Sequence, residues 1–597
     1  MSKILKTIVI FLLLSVLIGC GKIVTPEIVR MAKEGDKLFV TDRAGNEIFI
    51  VDRKNGKIKG KQQFQSAIND LQIDSKGRLW MIGDGQNGAL CELNPDNLKI
   101  LSTTPLGYCP SALAFNDKTG SLWITQRYNN ELWEIDPFSK KILSQTGTGR
   151  EPADVISVCG GNYLLVVNNL PATAAIDFPA STHIDVIDAV EKKNIKKILF
   201  VNGATDARAI TASPDGKYAY VTHLVGRYQL PTNQVDRGWM STNAVSVINL
   251  DNLSLETTIL LDTPQRGAAN PSAIEISADG KYIVIALSGS HELCVIDRPA
   301  MHERLNAVKR GEKVVPSIEK WEDIPNDTGF LYEIRKFVPT AGKGPRGLAI
   351  CNDNTFIVAN YFTGKISIID DKGTKVRSYT LGVPVTSTKQ GLGEMYFHDA
   401  TLCFQQWQSC ASCHPNNARM DGLNWDLLND GIGNPKNTKS LLYSHRTPPS
   451  MITGIRKNAE TAVRSGLKFI FFADASDEIA FAMDEYLKSL VPLASPYLID
   501  NKISEAAGRG KANFDKYCIS CHSGQYYTDM KQYQIDWVTP KDNVPMDVPT
   551  LIEIWRTAPY LYDGRSSTMR EMLEIHGPVD KLSSAELDDL AEYILSL

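Results

Sequence analysis

The chain has no marked excess of charge of either sign. Its 597 residues include 64 lysines and arginines against 68 aspartates and glutamates, giving a net charge of −4, and the isoelectric point is near 6.2. Domains that bind nucleic acid are typically basic, with lysine and arginine clustered on one face. We therefore expect no nucleic acid among the partners. The length predicts two or three domains, each large enough to bury a core.

The N-terminus lacks an apolar run long enough to cross a bilayer, which needs about 20 residues. Its apolar run extends only from Ile8 to Ile18 and follows two lysines, an order typical of a signal peptide, with an uncleaved anchor as the alternative. Residues 17–20 resemble the bacterial lipoprotein cleavage box. The resemblance implies that residues 1–20 are a lipoprotein signal peptide with Cys20 lipidated. The protein would then be exported and anchored to the outer membrane, facing the periplasm or the cell surface.

Histidine is scarce, at nine in the whole chain, yet two of the nine directly follow a Cys-x-x-Cys pair. The first motif is residues 410–414 and the second is residues 518–522; their cysteines and histidines are Cys410, Cys413, His414, Cys518, Cys521 and His522. Cys-x-x-Cys-His is the attachment signature of c-type haem. Each thiol adds to a haem vinyl group, and the histidine becomes the proximal iron ligand. The doublet predicts two covalently bound haem c groups, with a zinc site or a redox dithiol as the alternative.

Besides Cys20, six further cysteines lie outside these motifs, at positions 91, 109, 159, 294, 351 and 403. Several stand in apolar runs that are typical of strands, which favours buried free thiols. A disulfide between Cys91 and Cys109 stays open, because sequence does not fix pairing.

Residues 30–385 repeat a pattern of short apolar strands separated by Asp-Gly turns, which are hairpin signals. Strands end at Asp52, Asn94 and Asp136, and both intervals are 42 residues. A period of about 40–45 residues with four strands per unit indicates a β-propeller. We count seven units, beginning near residues 35, 66, 108, 150, 204, 268 and 344. The pattern resembles the YVTN or surface-layer type of seven-bladed propeller, and a β-sandwich is the alternative.

Two loops break this period. One extends over residues 223–242 and contains arginine, tyrosine and tryptophan, a mixture that suits an interface. We expect it to dock against the C-terminal region, with a solvated loop as the alternative. The other extends from Arg298 to about Lys336 and is rich in charge.

From about residue 391 the patterning becomes helical. Residues 474–490 begin with acidic side chains and continue with an apolar face at helical spacing, and residues 582–597 repeat this arrangement. The predicted fold is thus an all-β seven-bladed propeller followed by a mainly α-helical di-haem cytochrome c domain. We divide that domain into a first haem domain, residues 391–500, and a second, residues 501–597.

The segments 409–414, 549–551 and 556–564 resemble those of bacterial di-haem cytochrome c peroxidases and their relative, the methylamine-utilisation di-haem enzyme. In that family the sixth ligand of the second haem follows the Pro-Tyr segment by about fourteen residues. Counting from Tyr562, the resemblance implies His576, with Met569 and Met572 as alternatives. A neutral imidazole there would be a good axial ligand.

The first haem has no equally clear distal ligand. The resemblance places the family's distal histidine near Asp430, where this chain has none. His445 and His398 are the nearby alternatives, and without them the iron on His414 is open. Arg419 and Arg456 are candidates to support haem propionates or bound oxygen species, with salt bridging as the alternative. The catalytic residues stay undetermined, with Arg419 and His445 as candidates. Three tryptophans, at positions 407, 425 and 555, are candidate electron relays or ordinary packing residues.

These observations favour an oxidoreductase of the cytochrome c peroxidase type that reduces hydrogen peroxide or a similar small oxidant. The chain departs from the family, because the loop with the catalytic glutamate is not recognisable. Two alternatives stay open: an electron-transfer protein whose propeller docks a redox partner, and long-range oxidation of a protein partner. The expected partners are a small oxidant, an electron donor or acceptor protein, and membrane lipid through Cys20.

Overall fold

The computed structural model describes residues 31–42, 46–85, 88–228, 240–426, 435–535, 544–576 and 581–597. The predicted signal peptide with Cys20, most of the 223–242 loop and Asp430 therefore lie outside the described residues.

The first part of the chain forms seven antiparallel sheets, each made of four consecutive strands. Sheet by sheet, the strands are β1 Met31–Glu34, β2 Lys37–Asp42, β3 Glu47–Asp52 and β4 Ile58–Gln63; β5 Ile68–Ile73, β6 Leu79–Gly83, β7 Gly88–Leu93 and β8 Ile100–Gly107; β9 Pro110–Asn116, β10 Ser121–Gln126, β11 Glu131–Ile135 and β12 Ile142–Gly147; β13 Pro152–Val158, β14 Tyr163–Asn168, β15 His183–Asp188 and β16 Lys193–Leu199; β17 Ala204–Ala212, β18 Tyr218–Gly226, β19 Ser241–Asn249 and β20 Ser254–Leu260; β21 Pro271–Ile276, β22 Tyr282–Leu287, β23 Glu292–Asp297 and β24 Arg335–Pro339; β25 Pro345–Ile350, β26 Phe356–Asn360, β27 Lys365–Ile369 and β28 Val376–Thr380.

The seven sheets are the blades of a closed propeller. The first strand of each blade contacts the first strand of the next, and β25 contacts β1 to close the ring. Leu38 and Val40 of the first blade share one core with Ile357 and Ile366 of the last. This architecture confirms the predicted seven-bladed propeller and rules out the sandwich.

Turn chemistry explains why the blades form where the sequence repeats. Gly216 and Gly280 close the predicted Asp-Gly turns with φ of 69° and 71°, a left-handed conformation that glycine adopts without a steric penalty. The side chains of Asp215 and Asp279 accept from the backbone N–H two residues later, at 3.2 and 3.0 Å. Each turn thereby joins the first strand of its blade to the second.

The charged segment that follows β23 folds onto the propeller. Helix α1, Arg298–Lys309, begins at Asp297, whose carboxylate accepts from the N–H of Ala300. Met301 and Leu305 enter the largest core cluster together with Ile324. The insertion therefore extends the core beside the fifth and sixth blades.

The region after the propeller contains short helices and two small ribbons. The helices are α2 Lys389–His398, α3 Cys410–Cys413, α4 Pro415–Ala418, α5 Ala459–Phe469, α6 Asp477–Lys488, α7 Glu505–Tyr517, α8 Met569–Ile575 and α9 Ser584–Leu595; the ribbons pair β29 Asn424–Trp425 with β30 Lys436–Asn437, and β31 Gln532–Tyr533 with β32 Met546–Asp547. The prediction of a mainly helical domain is not confirmed. Long irregular segments separate the helices, because proline-containing stretches such as residues 447–449 cannot supply helical N–H donors. Among the described residues, no helix is long and apolar enough to span a membrane.

This region is built twice. The first repeat is residues 389–490 and the second is residues 505–597. Helix α2 packs on α6, and α7 packs on α9. Both crossings depend on glycine: a Cβ built on Gly393 would stand 1.8 Å from the carbonyl oxygen of Ala482, and one on Gly510 would stand 1.9 Å from that of Asp589.

Backbone landmarks keep the two repeats in one register. The motif histidines, His414 and His522, are 108 residues apart, and later landmarks are 110 residues apart. The bridge between Ser450 and Arg456 matches the bridge between Tyr560 and Ser566. Positive φ angles also coincide, in the pairs Tyr443 with Glu553, Met451 with Leu561, and Gly454 with Gly564.

The repeats bind each other reciprocally. The N–H of Asn437 donates to the carbonyl of Tyr562 at 2.6 Å, and the N–H of the equivalent Asp547 donates to the carbonyl of Ile452 at 2.9 Å. An exchange of equivalent contacts is the mark of an approximate two-fold axis. The two Cys-x-x-Cys-His motifs are therefore held in one rigid pseudo-dimer.

Candidate functional site: two haem-attachment motifs against a propeller

The first motif lies against the propeller. Cys410 and Cys413 stand at the two ends of α3 and are free thiols. The hydroxyl of Ser409 donates to Oδ1 of Asn270 at 3.0 Å, and Nδ2 of Asn270 donates to the hydroxyl of Ser412 at 3.3 Å. A single propeller asparagine thus holds the helix that carries both thiols.

The ring of His414 is fixed by its own chain. Nδ1 donates to the carbonyl oxygen of Arg419 at 3.1 Å, so Nε2 is the nitrogen that would ligate iron. Burial lowers the pKa of His414. A neutral imidazole oriented through its other nitrogen is the form that binds metals.

The backbone between His414 and Arg419 is strained. Asn416, Asn417 and Ala418 have φ of 56°, 64° and 60°, and left-handed non-glycine residues persist only where surrounding contacts hold them. Nδ2 of Asn416 donates to Oδ1 of Asn169 in the propeller at 2.7 Å. The conformation of this loop, residues 415–418, therefore depends on the propeller.

Apolar side chains pack around the first motif. Cys410 and Cys413 pack in one cluster with residues of both parts of the chain, among them Met240, Trp407, Leu423, Trp425, Leu467 and Phe471. Asp421 is buried beside this cluster and accepts from Nε1 of Trp425 at 2.8 Å. Burial raises the pKa of Asp421 to about 7, against the opposing hydrogen bonds from Thr438 and Leu423.

The second motif is more exposed. Ile519 and Ser520 between its cysteines are open to solvent, and Cys518 and Cys521 are free thiols. Nδ1 of His522 donates to the carbonyl oxygen of Tyr527 at 3.1 Å, the same five-residue bond as in the first motif.

His576 stands beside His522. The two ring centres are 6.2 Å apart with the planes inclined by 49°. Two imidazoles that ligate one iron from opposite faces, through metal–nitrogen bonds of about 2 Å, have ring centres about 6 Å apart. Burial, and then the neighbouring His522, lowers the pKa of His576 to about 4, so both rings are neutral and fit a haem iron between them.

The first repeat has glycine where the second has His576. Asn458 and Thr568, 110 residues apart, cap α5 and α8 by accepting from the N–H groups of Thr461 and Glu571. Eight residues beyond each cap stand Gly466 and His576. A Cβ built on Gly466 would meet no atom within 4 Å. The position of the first repeat that is equivalent to His576 therefore carries no side chain, and a Cβ there has room.

The two alternative histidines have other roles. Nε2 of His445 lies 2.9 Å from Oδ1 of Asp484, and the other oxygen, Oδ2, accepts from Nη1 of Arg464 at 2.9 Å. Nδ1 of His398 donates to the carbonyl of Glu394 at 2.8 Å. The ring of His445 therefore joins a turn of the first repeat to α6, whereas the bond of His398 lies within α2.

The remaining candidates are also engaged elsewhere. Met569 and Met572 pack in the core of the second repeat. Arg419 binds Glu553 rather than facing an open site. Of the tryptophans, Trp407 and Trp425 pack in the same apolar cluster as Cys410 and Cys413, while Trp555 lies edge-on to Tyr128 of the propeller at 5.2 Å.

The structure does not support the alternative readings of the cysteines. Cys91 and Cys109 are both free, so they do not form a disulfide. In the ranges that the structure describes, no three histidine, cysteine or acidic side chains cluster in a way that could hold a metal ion. A zinc site shared by the two cysteine pairs would need such a cluster.

The chain resembles two subunits of one enzyme. No family model matches it. Over 278 residues it is 24% identical to the hydrazine synthase subunit gamma of Kuenenia stuttgartiensis, a match that covers 36% of this chain and 79% of that protein. Over 189 residues it is 26% identical to the subunit beta of the same organism, covering 31% of this chain and less than half, 46%, of that protein.

A solved structure agrees on the fold. A chain of Kuenenia stuttgartiensis hydrazine synthase superposes with a TM-score of 0.50 at 19% identity, covering 61% of this chain and 99% of that one. At this identity the likeness supports the seven-bladed propeller alone. The relationship to hydrazine synthase subunits comes from the two sequence matches.

The expected function is therefore wrong in its class. The homologues are hydrazine synthase subunits, and no peroxidase of the di-haem family is among them. The reading as a peroxide-reducing enzyme fails, and so do the readings as a plain electron-transfer protein or an oxidant of a protein partner. Short segments such as Cys-x-x-Cys-His and Pro-Tyr are too local to specify which reaction a protein catalyses.

Proposed function

We propose that this chain is a single-chain counterpart of the beta and gamma subunits of a hydrazine synthase, with haem c on both motifs. Its first haem, on Cys410, Cys413 and His414, binds a one-nitrogen compound, and its second haem is closed by His576. The observation that carries this proposal is Gly466, which stands with open space around it where the second repeat has a histidine.

Two further observations support the assignment of haem. Each motif pairs two free thiols with a half-buried histidine whose Nδ1 is already bonded, which leaves Nε2 for iron. The 6.2 Å between the rings of His522 and His576 suits a single iron ligated from both sides. When bound, a haem with an open face supplies a site for a small ligand and electrons for its reduction.

The residues around the first motif suit a small uncharged ligand. Leu467 on α5 and Phe471, two residues after this helix, pack in the same cluster as both motif cysteines. Such walls exclude water and disfavour anions. Asp421, with a pKa raised to about 7, holds Trp425 in this wall and could exchange a proton with the pocket.

The second motif suits electron entry. Its exposed residues Ile519 and Ser520 would let a donor protein approach the haem edge, and six-coordinate ligation leaves no open position for a substrate. We propose that a redox protein outside the cytoplasm donates here. The chain itself would be lipid-anchored through Cys20, because haem c is attached on the outer side of the bacterial membrane.

The test uses the full chain, produced in a host that matures c-type cytochromes. The pyridine haemochrome assay should give two haems per chain, and carbon monoxide should bind half of the reduced haem. ¹⁵N-ammonium supplied with hydroxylamine, which can form an N–N bond with loss of water, should yield labelled hydrazine by mass spectrometry, if necessary with added partner subunits.

A pair of matched variants separates the motif from general damage. Cys410→Ala combined with Cys413→Ala should remove one haem, carbon monoxide binding and hydrazine formation. Cys351→Ala alters a buried thiol of the seventh blade and should change none of them. The proposal fails if the purified chain carries no haem, or if neither reduced haem binds carbon monoxide.

A further inference from the structure

A line of buried charged side chains joins the propeller to the loop behind His414. Arg127 and Glu151 belong to the propeller, and Arg556, Glu553 and Arg419 belong to the C-terminal region. Each is at most 5% exposed. We call these five residues the ion chain. Its charges alternate in sign from one end to the other.

The contacts along the ion chain are continuous. Nε and Nη2 of Arg127 donate to Oε2 of Glu151 at 3.0 and 2.9 Å. Nε of Arg556 donates to Oε1 of Glu151 at 3.2 Å, and its Nη1 donates to Oε1 of Glu553 at 3.2 Å. Nη2 of Arg419 then donates to Oε2 of Glu553 at 2.7 Å.

The ion chain ends on the backbone that orients His414. The carbonyl oxygen of Arg419 accepts from Nδ1 of His414, and Nη1 of Arg419 donates to the carbonyl of Asn417 at 2.6 Å. Nη2 of Arg556 reaches the carbonyl of Asn416 at 3.4 Å. The strained loop 415–418 is thereby held by charged groups on both of its sides.

The second motif has no such connection. Its loop is residues 523–526, of which Gly524 and Gln525 are exposed. By the register of the repeats, Arg556 corresponds to the exposed Arg446, and Glu553 corresponds to Tyr443. The same backbone therefore supports one proximal histidine that is tied to the propeller and one that is not.

Glu151 is the central charge of this arrangement. Burial alone would raise its pKa, but Arg556, Arg127 and Arg150 outweigh burial and lower the pKa to about 2. Its carboxylate is thus ionised at neutral pH. The groups behind a metal-bound histidine set the orientation of the ring, and charge near a haem sets its reduction potential.

We propose that Glu151, a propeller residue, is a positioning residue for the first haem: through Arg556, Glu553 and Arg419 it fixes the carbonyl that orients His414. The propeller thereby sets the reduction potential of one haem and leaves the other untouched. This inference rests on the proposed function, because it requires a haem on His414.

The experiment is a potentiometric titration of the full haem-loaded chain, followed by optical and electron paramagnetic resonance spectra. In Glu151→Gln, loss of a negative charge should raise the midpoint potential of the first haem and alter its spectrum. The second haem should keep its potential. Glu151→Asp retains the charge and should restore most of the original potential.

Two further variants make the outcome unambiguous. Arg127→Gln removes a positive charge at the far end of the ion chain and should shift the first potential downward. Glu292→Gln is the control, because this glutamate pairs with Arg266 at 2.6 Å on the same face without touching residues 415–419. It should shift neither haem.

The results separate the two proposals. A chain with no haem on the first motif overturns this inference and the proposed function together. Two bound haems with a first potential that Glu151→Gln and Arg127→Gln leave unchanged overturn this inference alone. Equal shifts of both haems also overturn it, since they would report general damage rather than positioning.

Discussion

The two repeats of the C-terminal region share a backbone and differ in what surrounds it. The first lies under the propeller, with α3 held by Asn270, and has Gly466 at its distal position. The second is open to solvent at its motif and carries His576 at the equivalent place. The two repeats thus share the backbone that holds the motif histidines. The two sites diverged through a few side chains and through contact with a different domain.

The difference is also one of strain. Three consecutive left-handed residues follow His414, where the second motif has Gly524 at φ 72°. Glycine adopts this conformation without a steric penalty, whereas asparagine and alanine need support from outside. The propeller supplies that support through Asn169 and Glu151. The first site is therefore the one that depends on the rest of the chain.

Exchanging Gly466 and His576 should have the largest effect on the difference between the two repeats. Gly466→His should place an imidazole at the first distal position, where space is available, and should convert an open iron into a closed one. His576→Gly should open the second. We expect carbon monoxide binding to disappear in the first variant and to double in the second.

The control for this exchange is Gly508→His, which puts the same side chain on an exposed helical glycine with open space around it. It should leave both haem spectra unchanged. Retention of carbon monoxide binding in Gly466→His would show that the register between α5 and α8 does not extend to the haem faces.

Much of this comparison could be predicted from the sequence, and some could not. The propeller was accessible because strand ends such as Asp52 and Asn94 recur at a fixed local spacing. The repeat also left a signal: residues 446–449 read Arg-Thr-Pro-Pro and residues 556–559 read Arg-Thr-Ala-Pro. Aligning these segments with each other places Gly466 opposite His576. Counting from Tyr562 along the second repeat alone does not reveal this equivalence.

The ion chain had no comparable signal. Glu151 and Arg556 are separated by 405 residues, and nothing in either local pattern distinguishes them from a solvated glutamate and arginine. Their burial follows from the docking of two domains. For the same reason the helical content was overestimated, because the loops that carry the motifs are shaped by tertiary contacts rather than by local propensity.

The ion chain should dominate the stability of the docked first site. Arg556→Met leaves Glu151 and Glu553 buried with less compensation, and breaking a buried pair in this way typically costs about 3–5 kcal/mol. Denaturant unfolding of the full chain should show this loss. The matched control is Arg446→Met, at the equivalent and exposed position of the first repeat, which should change stability by about 0.5 kcal/mol or less. Similar losses in both would contradict the asymmetry.

The charges of the ion chain also predict how the stability of the folded chain depends on pH. The pKa of Glu151 is lowered to about 2 in the folded chain, compared with about 4.5 in the unfolded chain. The ionised carboxylate therefore makes its full contribution to the free energy of unfolding above about pH 4.5, and this contribution is lost as the pH falls through about 2. The shift corresponds to about 3 kcal/mol at most. The free energy of unfolding, measured with urea between pH 6 and pH 2, should therefore fall more steeply with decreasing pH in the native chain than in Glu151→Gln. Parallel curves would show that Glu151 contributes no such term.

The smallest effect tests whether the propeller also stiffens the first repeat. Gly393→Ala and Gly510→Ala place nearly equal clashes against the carbonyls of Ala482 and Asp589, and overpacking of this kind costs about 1–3 kcal/mol. Helix α7 lies at the surface and can move, whereas α2 is tied to the propeller by the bond from Tyr361 to Glu394 at 3.0 Å. Gly393→Ala should therefore lower the thermal unfolding temperature by more than Gly510→Ala does.

The control is Gly508→Ala, on the exposed side of α7, which should instead stabilise the chain by about 1 kcal/mol. Equal losses of stability in Gly393→Ala and Gly510→Ala would mean that contact with the propeller positions the charged residues around the first motif but does not make its helices more rigid.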